Sequence, residues 1–370
     1  MLIYVTLFLF VAIMATQPAR PHKVVDSSNS SLVLQPFSFL LFFILLIFVG
    51  LRHEIGGDWG NYIYQIDKTS AMSFEYAISS LGDPLYQLIK WYSLGFGSNT
   101  GDGPIHFLNF MCALFFAYGL VLFCNAQPRP WLAFAIAVPY LLIVVGMGYT
   151  RQSAAIGSIM IALTAVSQGK TLKYIFWICV AVTIHKTSII VLPFAVFLFK
   201  TNKVILSFAT VVFVVFLYLV LLSEYVEVMT QNYLGLEQSS SGAFIRALMN
   251  LIPAIFFLKF KNRFGLSLQH QNFWTAISVS VCGLFLLIFI LPSTTVVDRV
   301  GLYFIPLQLF VLSRLPDAIG VSGMSNLKNV YPIILYYFAT LMTWLLFSSH
   351  ARHWLDYDSY IFILLGIGNH

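Results

Sequence analysis

Residues 37–50 read FSFLLFFILLIFVG and run without a break into residues 51–68, LRHEIGGDWGNYIYQIDK. The first stretch carries no polar side chain except Ser38. In lipid a backbone must satisfy its own hydrogen bonds, so a run of this kind crosses the membrane as a helix. The second stretch sets Arg52, His53, Glu54 and Asp58 at the mouth of that helix, with glycines and aromatics between the charges. Charge at this density marks the point where the chain leaves the membrane. Which side it leaves on organises everything else.

The apolar character extends along the whole chain. Of 370 residues, 59% are hydrophobic and only 9% charged, against roughly 25% charged in a soluble domain. Such a chain cannot cover a water-facing surface. Its apolar runs are long and continuous rather than short and alternating, so the fold class is an all-α polytopic integral membrane protein. Candidate spans fall at 2–15, 36–51, 104–124, 131–149, 152–167, 174–185, 187–199, 203–222, 243–260, 272–291, 300–315, 329–347 and 357–367. The pair 174–185 and 187–199 also reads as one broken helix, and 357–367 as an interfacial segment, so about 11–14 transmembrane helices are expected. Residues 84–97, PLYQLIKWYSLGFG, are amphipathic and too polar to span, as in a helix lying along the membrane surface. With no internal repeat and no soluble portion, residues 1–370 form one membrane-embedded domain with an outer functional loop at 52–103.

No Lys or Arg precedes the first segment, whereas Arg20 and Lys23 follow it, unlike a secretory signal peptide. The first span is expected to remain as an anchor with its N-terminus outside. Alternation from there gathers Arg20, Lys23, Arg129, Lys170, Lys173, Lys200, Lys203, Lys259, Lys261, Arg263, Arg314 and Lys328 on the cytoplasmic side, 12 of the 20 basic residues. Of the 14 acidic residues only Asp26 and Asp317 join them. The opposite orientation reverses these counts.

The basic residues that break the rule are mostly arginines. Arg52, Arg151, Arg246, Arg299 and Arg352 fall outside, each at or near a span end. A charge held at membrane depth costs about 2.5–3.5 kcal/mol on insertion scales and usually has a partner or a function. The bland reading gives each arginine an acid: Arg299 with Asp298, Arg352 with Asp356, Arg52 with Glu54 or Asp58. Five on one face instead point to an anionic ligand, because the planar guanidinium binds phosphate with two parallel hydrogen bonds. Nucleotides are confined to the cytoplasm, which excludes nucleotide-dependent chemistry there. A lipid-linked phosphate or pyrophosphate fits, since its head group lies where span ends emerge. The nearby Tyr and Trp residues, Trp59, Tyr62, Trp91 and Tyr149 among them, form an interfacial belt, some able to stack on sugar rings.

The pattern Arg52-x-x-x-Gly56-Gly57-Asp58-x-x-x-Tyr62 after an early span resembles the signature loop of EpsG-like and Wzy-type polysaccharide polymerases. GMGYTRQSAAIGSIMIAL, with Arg151 and Gln152 ahead of a small-residue-rich span, resembles a second motif. IHKTSIIVLP, with His185 and Lys186 between apolar runs, and DRVGLYF, with Arg299 and Tyr303, resemble a third and a fourth. Order and span context match over nearly the whole chain, while HARHWLDYD near the end is a loose match to the family's tail.

The resemblance implies a glycosyltransferase similar in architecture to the GT-C class, multi-pass in a bacterial inner membrane, with its active site facing the periplasm. The donor it implies is a growing glycan on undecaprenyl pyrophosphate, and the acceptor is one repeat unit of an O-antigen, capsule or exopolysaccharide on the same carrier. A chain-length regulator and a flippase are the protein partners expected, with no nucleic acid, no cofactor and no metal. Such chemistry needs a base for the acceptor hydroxyl and stabilisation of the departing pyrophosphate. Asp58 and His185 are the candidates for the base. Arg52, Tyr62, Arg151, Gln152, Lys186, Arg246, Arg299 and Tyr303 are the candidates for binding pyrophosphate and glycan. Bland roles compete: Asp58 could hold Arg52 or cap the following helix, and His185 could be a satisfied polar group in a helix break. Lys186 beside it disfavours the imidazolium.

Other signals are weaker. His350, His353 and Asp356 have helical spacing for metal ligands, but three such residues at a membrane end are more often interfacial. Asp356-Tyr357-Asp358 matches the Asp-x-Asp of nucleotide-sugar transferases but falls outside, where those donors are absent. GFGSNTGDGP lacks a Walker lysine. Cys112, Cys124, Cys179 and Cys282 fall in apolar runs without paired spacing. Asn29-Ser30-Ser31 is a chance glycosylation sequon in an inner loop. Two rivals share the broad features. An O-antigen ligase uses the same donor but carries its large outer loop late, whereas here it comes early. A lipid-linked oligosaccharide flippase should spread charge along a pathway on both sides of the midplane.

Cysteines introduced into 52–103 are expected to react with a membrane-impermeant thiol reagent in cells stripped of their outer barrier. Those introduced into 259–271 should react only after the membrane is opened. Labelling in the reverse order would put the arginines inside and remove the ground for an outer anion site.

Overall fold

The computed structural model describes residues 1–18, 36–79, 83–96, 103–199, 242–291, 294–321 and 325–366, with residues 208 and 212. The candidate span 203–222 apart from those two positions, the loop residues Arg20, Lys23, Asp26, Asn29, Lys200 and Lys203, and most of GFGSNTGDGP lie outside the described residues.

The apolar runs are helices, as the hydrogen-bond requirement of lipid dictates. In chain order they are α1 (Leu2–Ala15), α2 (Pro36–Gly50), α3 (Trp59–Ser70), α4 (Phe74–Ser79), α5 (Pro84–Ser93), α6 (Gly103–Asn125) and α7 (Pro130–Gly148). Then come α8 (Thr150–Ser167), α9 (Thr171–Ile184), a 3₁₀ segment (Lys186–Leu198), α10 (Ala243–Phe260), α11 (Leu268–Leu287), α12 (Thr294–Ile319), α13 (Leu327–Phe347) and α14 (Tyr360–Leu364). A two-residue strand pair, β1 (Arg52–His53) with β2 (Asp358–Ser359), is antiparallel. It fastens the charged turn after α2 to the tail.

Among the described residues, five helices are long and apolar enough to cross a membrane: α6, α7, α10, α12 and α13. The expected count of about 11–14 depends on adding α1, α2, α8, α9, the 3₁₀ segment and α11, which are shorter or more polar. Two readings change. The candidate 357–367 does not span, since its described part is β2 and the five-residue α14. Residues 174–199 are not one broken helix. The backbone is extended at His185, and the Tyr174 hydroxyl donates to the Val191 carbonyl at 2.5 Å, so the chain turns back on itself with His185 at the tip.

The core is layered by burial. Of the most hydrophobic stretch of α7, 89% is buried, and of α12, 83%, whereas α13 buries only 22%. Helices α7 and α12 are therefore central, and α13 leaves most of its apolar surface uncovered, as a lipid-facing helix does. Helix α7 contains a π-helical stretch, Val138–Val145, whose second residue, Pro139, lacks an N–H. The Trp354 indole donates to the Ile143 carbonyl within that stretch at 2.9 Å, docking the tail against α7.

Helix α8 buries Ser153, Ala154, Ala155, Gly157 and Ser158, small side chains that admit a neighbouring backbone. It meets α6 where Gly119 faces Gly157. A β-carbon on Gly119 would run into the Gly157 carbonyl, and one on Gly157 into the backbone of Phe115 and Phe116. At the opposite end from His185, the Arg129 guanidinium grips both Asp317 carboxylate oxygens, at 2.7 and 3.0 Å, and donates to the Ser325 carbonyl at 3.0 Å. The sequence places Arg129 and Asp317 on one side of the membrane, and they meet.

Gly157→Ala is expected to destabilise beyond the ~1–3 kcal/mol of ordinary overpacking, because the obstruction is backbone that cannot change rotamer. Gly283→Ala, where an added β-carbon would meet nothing within 4 Å, should be neutral. Folded yield and melting temperature of the purified variants report the difference, and equal behaviour would show that α6 and α8 can separate.

Candidate active site at the arginine-rich end

The five rule-breaking arginines lie at one end of the helices. Arg52 reaches Thr150, beside Arg151. Gln152 donates to the Arg299 carbonyl at 2.7 Å. Arg246 binds Asp298, Arg299's neighbour. Arg352 lies next to His353, whose carbonyl accepts from the Gly56 N–H at 3.1 Å.

Arg52 is 2% exposed. Its Nη1 donates to the Val49 carbonyl at 2.6 Å, and its Nη2 to Asn109 Oδ1 at 3.1 Å and Thr150 Oγ1 at 2.8 Å. Thr150 Oγ1 passes a hydrogen bond on to Asn109 Oδ1 at 2.9 Å, and the Thr150 N–H donates to the Tyr62 hydroxyl at 3.1 Å. Burial pulls the Arg52 pKa down to about 10, which leaves it charged at neutral pH. Arg52 and Tyr62 thus tie the ends of α2, α3, α6 and α8 together. In this structure their polar atoms are turned to protein rather than to an open site.

The turn between Arg52 and α3 has the shape its sequence requires. Glu54 has φ 51° and Gly56 φ 106°. A β-carbon at Gly56 would lie 2.8 Å from the Met147 carbonyl, so this close approach needs glycine. Asp58 follows at the start of α3 but makes no capping hydrogen bond. The bland roles therefore fail for Asp58, which neither holds Arg52 nor caps the helix. The charges that act on it are those of Arg299 and Arg151. Burial raises its pKa, and the two guanidiniums only partly offset that.

A second acid sits at the centre of the site, and motif reasoning passed over it. Asp83 is 4% exposed. Its Oδ2 accepts from Arg151 Nη1 at 3.0 Å and lies 3.4 Å from His185 Nδ1, while its Oδ1 accepts from the Lys186 N–H at 2.8 Å. Burial works against its charge, but the His185 ring, the Lys186 N–H and the Arg151 guanidinium outweigh it and hold the carboxyl below its ordinary pKa. The sequence signal was Asp-Pro at the start of an amphipathic helix, which reads only as a helix entry. Asp83 joins α5, α8 and the tip after α9. From that tip, Thr187 shares a hydrogen bond with the Tyr303 hydroxyl at 2.6 Å, and the His185 and Tyr303 rings lie 6.4 Å apart. Asp58, Arg151, Gln152, His185, Lys186, Arg299 and Tyr303 are thereby assembled at one end of the helices.

All three of the proposed arginine pairings are replaced, Arg52 meeting neutral acceptors rather than Glu54 or Asp58. Asp298 binds Arg246 through two contacts, at 2.6 and 2.8 Å, rather than Arg299. Arg299 is exposed and makes no ion pair among the described residues. Arg352 Nε points to His353 Nε2 at 3.3 Å, not to Asp356. Among the described residues no three His, Cys, Asp or Glu side chains are grouped to hold a metal, and His350, His353 and Asp356 do not converge.

The EpsG family model matches residues 36–359. The chain belongs to the EpsG family. The matched region runs from α2 to β2 and contains every candidate residue above. No curated protein and no solved structure matches the chain. EpsG membership carries a polysaccharide-polymerase-type role, glycosyltransferase-like at a coarse level, and the apolar helices make this EpsG-family chain a multi-pass membrane protein.

Asp83→Asn retains an acceptor for the Lys186 N–H but removes the charge that holds Arg151 and His185. A carboxylate whose folded pKa is depressed contributes stability above its unfolded pKa, about 4, and loses it as pH falls through the folded value. Wild type should melt higher than Asp83→Asn at pH 7, with the gap narrowing below about pH 4. A gap independent of pH would assign the loss to packing rather than to charge.

Proposed function

We propose that the chain polymerises lipid-linked oligosaccharide repeat units at the periplasmic face of a bacterial inner membrane, on a GT-C-like scaffold. The observation that carries the reading is Asp58, a carboxyl without a hydrogen-bond partner among the described residues and under the influence of Arg151 and Arg299. A carboxylate raised above its ordinary pKa is a stronger base, and cations beside it suit an anionic leaving group.

In the proposed reaction the non-reducing hydroxyl of the acceptor unit attacks the anomeric carbon of the growing chain. The new C–O bond forms as the bond to undecaprenyl pyrophosphate breaks. The hydroxyl proton passes to the Asp58 carboxylate, and the bonding electrons leave with the pyrophosphate, whose charge Arg299 and Arg151 stabilise. Gln152 holds the Arg299 backbone, and the Thr187–Tyr303 contact fixes the hairpin tip against α12. Arg246, clamped by Asp298, acts as a wall of the site.

One contact supports a second assignment of the base. His185 Nδ1 lies 3.4 Å from Asp83 Oδ2, an arrangement that leaves Nε2 as the basic nitrogen when Nδ1 carries the proton.

Purified enzyme supplied with lipid-linked donor and acceptor separates the two. Asp58→Asn is expected to lower turnover by about 10²–10⁴-fold with donor affinity largely retained. The acid limb of the wild-type pH profile should lie above the ordinary carboxylate range. Should His185→Gln abolish turnover while Asp58→Asn remains active, the base is His185 and Asp58 lines the pyrophosphate site.

A further inference from the structure

Lys90 has a position that its surroundings do not explain. It lies on the buried face of α5 with Tyr86, Ile89 and Ser93, and is 6% exposed. Its ammonium has no hydrogen-bond or ion-pair partner among the described residues. It stands 5.9 Å from the centroid of the Tyr86 ring, and the Arg151 guanidinium stands 5.4 Å from the same centroid. Two cations are thus held against one aromatic ring.

The local charges do not balance them. Asp83 is engaged with Arg151, His185 and the Lys186 N–H. The charges that act on Lys90 are Arg151 and the exposed Lys68, both positive. Burial first, and then these two cations, push the Lys90 pKa down to about 8. An unpaired charge away from water is costly, and like charges beside it add to the cost. Lysines often bury their stems and keep the amine in water, and the Lys90 amine is not among the sealed polar atoms. The amine therefore keeps some exposure, and Arg151, whose side chain is 36% exposed, acts on it from beside the same ring. Helix α5 turns Tyr92, 62% exposed, outward and Lys90 inward.

We infer that Lys90 and Arg151, both held against the Tyr86 ring, form an anion subsite that takes a phosphate group of the lipid-linked substrate. The inference rests on the polymerase reading and adds Lys90 to the residues that bind pyrophosphate. Binding supplies the negative charge that Arg151 and Lys68 cannot.

The test uses the full chain in nanodiscs, with undecaprenyl pyrophosphate as the probe and ligand-induced thermal stabilisation and binding affinity as readouts. Lys90→Met should weaken binding by about tenfold, the loss of one desolvated charge contact to phosphate. Lys90→Arg should bind within about threefold of wild type, because the charge is kept. The ratio of wild-type to Lys90→Met affinity should shrink as pH rises past 8, the probe's own titration cancelling in the ratio. If Lys90→Met melts lower without ligand yet binds the probe as wild type does, Lys90 is structural and the inference falls. If stabilisation instead follows the anionic phospholipid content of the nanodisc and ignores the probe, the subsite holds a bulk head group and the substrate assignment is overturned. Arg299→Ala measured in parallel distinguishes the two levels. Should both variants bind normally, the polymerase site itself is misassigned, whereas weakened Arg299→Ala with normal Lys90→Met sinks only the Lys90 inference.

Discussion

A guanidinium sealed away from water must find acceptors for its N–H groups, and Arg52 finds them for both terminal nitrogens on three separate helices, leaving only Nε without one among the described residues. Val49, Asn109 and Thr150 belong to α2, α6 and α8. Each of these contacts exchanges hydration for a charge-assisted hydrogen bond in a medium of low dielectric, where an unmet donor is costly. Because Thr150 also holds Tyr62, the same knot sets the entry of α3. The residue after Arg52 lies in a strand pair with the tail, and Gly56 rests on the Met147 carbonyl. The turn between Arg52 and Asp58 is pinned along its length. That is what holds Asp58 where Arg151 and Arg299 act on it.

The charges at this end divide into two kinds, and the division separates scaffold from chemistry. Arg52 is paired with neutral acceptors, Arg246 with Asp298, and Asp83 with Arg151 and the hairpin tip. These contacts are short and specific, and they join helices far apart in sequence. Asp58, Arg299 and Lys90 have no such partners among the described residues. Paired charges satisfy one another and fix geometry, whereas charges without partners carry a desolvation cost that an incoming ion can relieve. Arg151 belongs to both kinds. One of its nitrogens holds Asp83, and its side chain remains 36% exposed. It therefore links the scaffold to the open site.

Much of the fold was legible from hydropathy alone, because lipid leaves a chain few ways to satisfy its backbone. The run at 37–50 reads directly as α2, and the amphipathic segment at 84–97 as α5 and the turn after it. Charge bias put Arg129 with Asp317, and the five exceptional arginines with one another, before any contact was visible. Hydropathy failed where it depends on length. It gave 357–367 the look of a span, though strand pairing and a short helix occupy that tail. It also left 174–199 ambiguous, because a hairpin of two short helical arms and one bent helix have the same apolar profile.

The sequence by itself determined the class of protein, the end at which its unusual charges collect, and the motifs around Arg52, Arg151, His185 and Arg299. Only the tertiary structure decided which charges are partners. Sequence neighbours suggested Arg299 with Asp298 and Arg52 with Asp58, yet a helix turns adjacent side chains about 100° apart. Asp298 accordingly faces Arg246 across 52 positions, and Asp83 faces His185 across 102. Ion pairing is set by distances of about 3 Å that arise only when helices pack. A linear pattern can therefore name the charged residues, but not which of them remain unpaired for a substrate.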